Sequence, residues 1–418
     1  VLLEKYSFGV GDRFGHQGRA QLEGLLQARS QGVGIVPVWN KSNREHSIIG
    51  TRPQDARRAA DAAVRAAGWQ DAYYVDADHI QLGTVDAFLD SSNFFTLDVA
   101  ESIGQAAEAD RIADFVREFA RYTGSLKVEG IDGGLEVSGE QLEAIARKYL
   151  KAIEEAGKIY RHIEAAKGAG TFVTEVSMDE TNAPQTPGEL FFILAAIAGQ
   201  GIPAQTIAPK FTGSFHKGVD YVGDAGQFAK EFEEDIAVIR YAVKEFGLPA
   251  NLKLSVHSGS DKFSIYRPIN RALRKFDAGL HLKTAGTTWL EEITGLALAG
   301  GEGLTIAKHI YGQAYVRFDE LCAPYATVVD IDQAKLPLPD AVNRWSVQDY
   351  ANAIRHDASC PQYDLHFRQL MHLAYKIAAE IGEAYLDALE THESSIAECV
   401  TTNIYERHIK PLFIERDS

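Results

Sequence analysis

The chain has 418 residues, 45% of them hydrophobic and 24% charged, with a formal net charge of −16. That composition is globular, and so acidic a balance argues against nucleic acid and anionic membrane surfaces as partners. No run approaches the ~20 continuous apolar residues of a membrane helix and no signal peptide opens the sequence; Cys322, Cys360 and Cys399 lack CxxC spacing, so the expectation is a cytoplasmic protein with free thiols.

Short β-type runs alternate with helical patterns over residues 7–310. The first strand, YSFGV, runs into FGVGDRFGHQG (8–18), whose GxGxxxG spacing is not a dinucleotide fingerprint and which carries no Walker lysine. Asp12 and Arg13 stand at that strand's end, and a guanidinium there suits a carboxylate gripped by two parallel bonds. GIVPVWN follows, then the polar loop NKSNREHS (40–47), which either covers a site or is simply solvated. QDARRAADAAVRAAGW has helical period, and AYYVDAD and NFFTLD are the next strands, with His79 at the exit of the former.

Residues 99–168 are mostly helical and read as an insertion between two barrel strands. Ser138 and Gln141 have capping-box spacing, and Leu142, Ile145, Tyr149, Ile153, Ala156, Tyr160 and Ile163 follow on one stripe. GTFVTEVSMD, AQTIAP, LKLSVH and GLHLKT complete eight strand candidates, with AGQFAKEFEEDIAVIRYAVKEFG as a helix between two of them. Eight strands with intervening helices predict an α/β fold, a TIM-like (β/α)8 barrel with a helical insertion; an open doubly wound sheet is the rival. In KTAGTTWLEEI (283–293) Thr288 and Glu291 are spaced as a capping box, and the segment is either an ordinary helix start or an anion-receiving one. Pro337, Pro339 and Asp340 then punctuate the chain. The barrel domain is expected over 1–335, and a helical C-terminal extension packed on it over 336–418, with helices in WSVQDYANAIRH, HFRQLMHLAYKIAAEIGEAYLDAL and SSIAECVTTNIYERHIKPLF.

Strand side chains alternate between two faces. In LKLSVH, Leu252, Leu254 and Val256 oppose Lys253, Ser255 and His257; in TFVTEVSMD, Phe172, Val176 and Met178 oppose Glu175, Ser177 and Asp179. Asp76 and Asp78 oppose Val75 and Ala77, Thr96 and Asp98 oppose Phe95 and Leu97, and His281 and Lys283 oppose Leu280 and Leu282. The apolar faces belong against outer helices, so the polar ones converge inside the barrel, at the strand ends where active sites of such barrels lie. Imidazoles and carboxylates without thiolates make a site for Zn, Mn, Ni, Co or Fe(II). Glu175 and His257, with His79 or His281, are candidate ligands that leave a position open; a buried ion network without catalysis is the competing interpretation.

Together FGVGDRFG, VDADHI, EVSMDET, SVHSGSDKFS and LHLKTAGTT, with QLMHLAY (369–375), resemble the tagaturonate epimerases of hexuronate catabolism, over roughly residues 8 to 375. The resemblance implies metal-dependent interconversion of D-tagaturonate and D-fructuronate, with related activity on ketohexoses such as fructose and tagatose. By position in these motifs, His79, Glu175, His257 and His281 are expected to ligate the divalent metal. Asp78 and Asp179 would move protons, and Lys283 would stabilise developing negative charge. Asp12, Arg13, Lys210, Asp261 and Lys262 would surround the substrate, the cations holding its carboxylate. Retro-aldol cleavage and re-addition is the favoured route over transient oxidation by a nicotinamide. A metal-dependent aldolase or sugar isomerase on the same barrel stays open, as does a non-catalytic sugar- or metal-binding protein, and a homo-oligomer is compatible with the sequence.

Overall fold

The computed structural model describes residues 1–179, 181 and 183–416. Eight parallel strands form its centre: β1 (Tyr6–Val10), β2 (Val36–Ser42), β3 (Tyr74–Ile80), β4 (Phe94–Asp98), β5 (Val173–Ser177), β6 (Thr206–Ala208), β7 (Lys253–His257) and β8 (Leu280–Lys283). Each pairs with its neighbour in chain order, and β1 pairs with both β2 and β8, Phe8 lying opposite Pro37 on one side and Leu282 on the other. That double pairing closes the barrel and sets the open sheet aside. All eight expected strand segments are barrel strands.

The alternation decides which side each residue faces. Phe8, Val75, Ala77, Phe95, Leu97, Val176, Leu254, Val256, Leu280 and Leu282 are buried under the surrounding helices. Inside, Leu3, Val36, Val38, Tyr74, Phe94 and Val173 make a separate apolar plug at the N-terminal end of the strands. Above the plug the interior turns polar: Ser7, Asp76, Thr96, Glu175, Thr206, Ser255 and His281 are all buried. A barrel interior is packed with side chains in layers, so this polar layer must be paired internally or to a bound group.

Most strands are followed by a helix lying on the outside, such as Gly18–Ser30 after β1, Ala225–Phe246 after β6 and Phe263–Phe276 after β7. Between β4 and β5 stands the insertion, with helices Ala109–Phe119 and Gly139–Lys167 and a two-stranded antiparallel ribbon of Gly124–Leu126 with Leu135–Val137. The Ser138 hydroxyl accepts from the Gln141 amide while the Gln141 side chain accepts from the Ser138 amide, which is the expected capping box. All seven residues of the expected stripe on the helix are buried.

The segment after β8 departs from expectation in two places. Helix Ala285–Ala299 begins before Thr288, so Thr288 and Glu291 cap nothing; the Thr288 hydroxyl accepts from Gln21 and Glu291 accepts from Asn403. The stretch 366–389 is not one helix but three, Leu365–Leu373, Tyr375–Ile381 and Glu383–Thr391: the chain breaks first at Ala374, where ψ opens to 0°, and again at Gly382, whose positive φ of 69° no helix interior contains. The extension closes over the barrel's helices. Helix Glu393–Thr402 lies so near Ala285–Ala299 that a Cβ on Gly295 would stand 2.5 Å from the Ile396 Cα. Among the described residues no helix is long and apolar enough to cross a membrane.

Candidate active site

The polar groups gather at the C-terminal ends of β3, β5, β7 and β8. Simple alternation would send His79 outward, beside Val75 and Ala77. Instead the β3–β4 pairing shifts register between Ala77 and Ile80, and His79 takes φ 51°. Positive φ is uncommon outside glycine, and such an irregularity re-aims a side chain at a sheet's rim. The turned ring reaches toward Asp179, two residues beyond the end of β5.

Two imidazoles converge on that carboxylate. His79 Nε2 lies 3.4 Å from Asp179 Oδ1, and His257 Nδ1 lies 3.1 Å from Asp179 Oδ2. The opposite nitrogen of each ring rests on a second carboxylate: His79 Nδ1 is 2.9 Å from Asp78 Oδ1, and His257 Nε2 is 2.8 Å from Glu175 Oε1. The ring centroids are 5.1 Å apart. Ligand atoms of His79, Asp179 and His257 lie within 4.8 Å of one another, so the three could hold a metal ion.

Two further observations suit that use. His257 Nδ1 is buried and, for all its nearness to Asp179, makes no aligned hydrogen bond among the described residues. Each candidate imidazole also gives its other nitrogen to a carboxylate, the arrangement that orients metal-binding histidines. Charge agrees as well. Burial alone would lower the His257 pKa, yet Asp179 and Glu175 outweigh it and hold the ring up at about 9. His79 is likewise carried well above its ordinary value, by Asp78 and Asp179 against burial. The pocket draws positive charge onto both rings, and a divalent cation carries the same charge as the two protons.

Beside the rings, Lys283 is fully enclosed by acids. Its Nζ lies 2.8 Å from Asp76, 2.9 Å from Asp78 and 2.9 Å from Glu175, and donates to the Thr96 hydroxyl. Burial pulls its pKa down, but the three carboxylates raise it well above the usual value, so it stays charged. Asp76 is the odd member: burial, opposed by Lys283 and assisted by Asp78 and Glu175, pushes it up to about 7. The Asp78 and Asp179 side chains are 11% and 21% exposed while Asp76 and Glu175 are fully covered, so only the first two reach the mouth.

The remaining expected site residues are placed as follows. His281 lies deeper, with Nδ1 2.9 Å from the Ser7 hydroxyl and its ring 5.2 Å from Phe94; burial drops its pKa to about 3, so it is neutral. It does not meet the other two imidazoles at Asp179. Asp12 accepts from the amides of Gly15, His16 and Gln17 and shapes the loop after β1. Arg13 pairs with Glu45 at 3.1 Å and stacks 4.0 Å over Tyr375. Lys210 is half-buried after β6, its amide donating to Gln185. Asp261 is buried and receives Arg368 at 2.7 Å, Thr287 at 3.0 Å and His356 at 3.1 Å. It therefore clasps the C-terminal extension to the barrel. Lys262 turns inward to the carbonyls of His216 and Asp261 and the Ser260 hydroxyl.

Reading the sequence alone misses three contributors. Thr96 joins Asp76, Glu175 and Lys283, and was visible only as an inward residue. The Ser177 hydroxyl donates to Asp179, and Glu45 holds Arg13 from helix Asn43–Ile49, in a stretch expected as a polar loop that either covers a site or is solvated.

Comparison with known proteins accords with the geometry. A family model described as tagaturonate epimerase matches residues 1–412. The tagaturonate/fructuronate epimerase of Thermotoga maritima is 27% identical over 419 residues, covering 96% of this chain and 80% of that protein. A crystal structure of the fructuronate-tagaturonate epimerase from Cohnella laeviribosi with one glycerol superposes with a TM-score of 0.81 at 25% identity, covering 99% of this chain and 82% of that one. The two-glycerol form gives 0.80 at 24% with the same coverage, a likeness of fold.

Proposed function

We infer the reaction from membership and geometry together: the chain belongs to the tagaturonate epimerase family, and it interconverts D-tagaturonate and D-fructuronate at the mouth of its barrel. The observation that carries this reading is the pair of imidazoles, from β3 and β7, turned onto Asp179 with a carboxylate behind each.

His79, Asp179 and His257 would hold a divalent metal, with Asp78 and Glu175 orienting the rings from behind. The set is nitrogen and oxygen without sulfur, which suits Zn, Mn, Ni, Co or Fe(II). Bound there, such an ion supplies Lewis-acid polarisation of the substrate's ketone and neighbouring hydroxyl.

The two sugars differ at the carbon two bonds from the ketone, whose hydrogen simple enolisation does not make acidic. In a retro-aldol route the hydroxyl on that carbon loses its proton and the bond to the α-carbon breaks, its electron pair passing toward the ketone as an enediolate. The aldehyde fragment turns its other face, the bond re-forms, and the hydroxyl recovers a proton. Of the four carboxylates around the rings, Asp78 is the one left at the mouth to take and return that proton once Asp179 is committed to the metal. Its contacts with His79 and Lys283 pass the charge into a network where Asp76 titrates near neutrality. Lys283 stays protonated throughout and offsets the negative charge that develops.

The test is incubation with D-fructuronate in metal-supplemented buffer, followed by NMR. Tagaturonate is expected, with the carbon-bound hydrogen retained at the epimerised centre in deuterated solvent and a three-carbon aldehyde open to trapping. No interconversion contradicts the assignment, and solvent deuterium at that centre contradicts the retro-aldol route.

A further inference from the structure

We propose that the substrate's carboxylate is held by His372, Lys217 and Arg13, in an anion pocket between the barrel mouth and the C-terminal extension. This deepens the epimerase reading above and rests on it.

His372, on helix Leu365–Leu373, is 2% exposed, and neither of its ring nitrogens has a hydrogen-bond partner among the described residues. A buried imidazole left so is costly unless something binds to it. The ring is aimed at the start of helix Ala285–Ala299, with Nε2 1.9 Å from where a Cβ on Gly286 would sit. Only glycine lets the ring approach so closely. The Gly286 amide donates to the Gly259 carbonyl at 3.0 Å, and a Cβ on Gly259 would lie 3.5 Å from Lys217 Nζ. Imidazole, ammonium and helix N-terminus therefore meet where the chain leaves β7 and β8.

The charge around His372 is one-sided. Burial first, then Arg13, Lys217, Arg368 and Lys262, keep the ring neutral. Two of these cations are already satisfied. Arg368 binds Asp261 and the carbonyls of Gly218 and Ile354, and Lys262 binds two carbonyls and a hydroxyl. The other two have capacity to spare. Arg13 gives Nε to Glu45 and leaves Nη1 buried and unpartnered, and Lys217 makes no ion pair among the described residues. On a chain of net charge −16, such a spot is a place for an anion.

The distances along the chain fit one substrate. Gly259 stands two residues past His257 and Gly286 three past Lys283, no more than about 7 Å and 10 Å of extended backbone. A six-carbon keto acid with its ketone at the imidazoles would carry its carboxylate into that neighbourhood. A neutral ketohexose has no group there for the cations. Recognition of the acid would thus come partly from the C-terminal extension, through His372 and through Tyr375, on which Arg13 stacks.

The experiment compares wild type with Lys217→Met and His372→Leu. Its readouts are kcat/KM for D-fructuronate and D-fructose, and thermal stabilisation by glucuronate, a hexuronate without the ketone. The pocket predicts that the fructuronate-to-fructose ratio of kcat/KM falls by roughly tenfold or more, the worth of about one charge-assisted bond, with the change mostly in KM. It also predicts that glucuronate stabilises wild type and not Lys217→Met. An unchanged ratio in Lys217→Met, a half-buried residue that makes no ion pair among the described residues, overturns the pocket. So does glucuronate stabilisation equal to that of wild type. If wild type turns over neither sugar, the epimerase reading fails on its own, and loss of glucuronate stabilisation in Lys217→Met still locates the anion.

Discussion

Replacing Lys283 by Met removes the ammonium at the centre of the site while keeping most of the side chain's length. At 2.8–2.9 Å from three carboxylates, each contact is worth roughly 6 kcal/mol gross at an effective dielectric of about 20. Repulsion among the carboxylates and the lost hydration of the ammonium cancel most of this, leaving the net cost of stripping one partner from a buried ion cluster, about 3–5 kcal/mol. For 418 residues, an unfolding entropy of about 2.1 cal/mol/K per residue turns that into a Tm loss of about 3–6 °C. The pH dependence has a definite sign. Without Lys283 the acids are raised in the folded state, so it binds protons that the unfolded chain has released. The deficit should therefore be largest at pH 8 and shrink toward pH 5 as Asp76 and its neighbours protonate. Calorimetry of wild type and Lys283→Met across that range is the assay. A Tm within 1 °C of wild type, or a deficit that grows on acidification, would refute the reasoning.

Other perturbations separate roles within the fold. His257→Ala should abolish metal retention, whereas Glu175→Gln, altering a carboxylate behind the ring, should weaken it about 10–100-fold; equilibrium dialysis against Zn or Mn tells the two apart. Asp261→Asn leaves Arg368 buried without its countercharge and should cost about 3–5 kcal/mol, read by denaturant titration, with the C-terminal extension becoming the first site of limited proteolysis. Asp235, buried in helix Ala225–Phe246 with one oxygen unpartnered among the described residues, has its carboxyl pushed well above the usual range by burial and then by Glu231 and Glu234. Asp235→Asn should therefore stabilise the protein at pH 8 by about 1–3 kcal/mol. The gain should vanish as pH falls toward the unfolded carboxyl's pKa of about 4, because below it both states are protonated; thermal melts at the two pH values check this.

The barrel was legible because its signal is local. Each strand carries a period-two alternation bounded by turn residues, and eight such runs with helices between them leave few other architectures. Which polar residues face inward was legible for the same reason. The positions of individual groups within the site were not. His79 owes its direction to a register shift with β4, a property of pairing that no single strand encodes. Alternation puts Glu175 and Asp179 on one side, but Glu175 lies within β5 and Asp179 two residues past its end, which puts Asp179 between the imidazoles and Glu175 behind one of them. Asp261, a residue that looks free to meet substrate, is absorbed by Arg368, more than a hundred positions along the chain. His372 sits in a segment legible only as helical extension and as part of the QLMHLAY motif, and its place appears only when that helix folds over Gly286.

The most direct test of the central claim is metal content by mass spectrometry together with fructuronate-to-tagaturonate turnover before chelation, after it, and after the metal is returned. The account predicts about one divalent ion per chain, turnover lost with its removal and regained with its return, and neither ion nor turnover in Asp179→Asn. Undiminished turnover in thoroughly chelated protein would contradict it and leave the two imidazoles on Asp179 as a salt-bridge network.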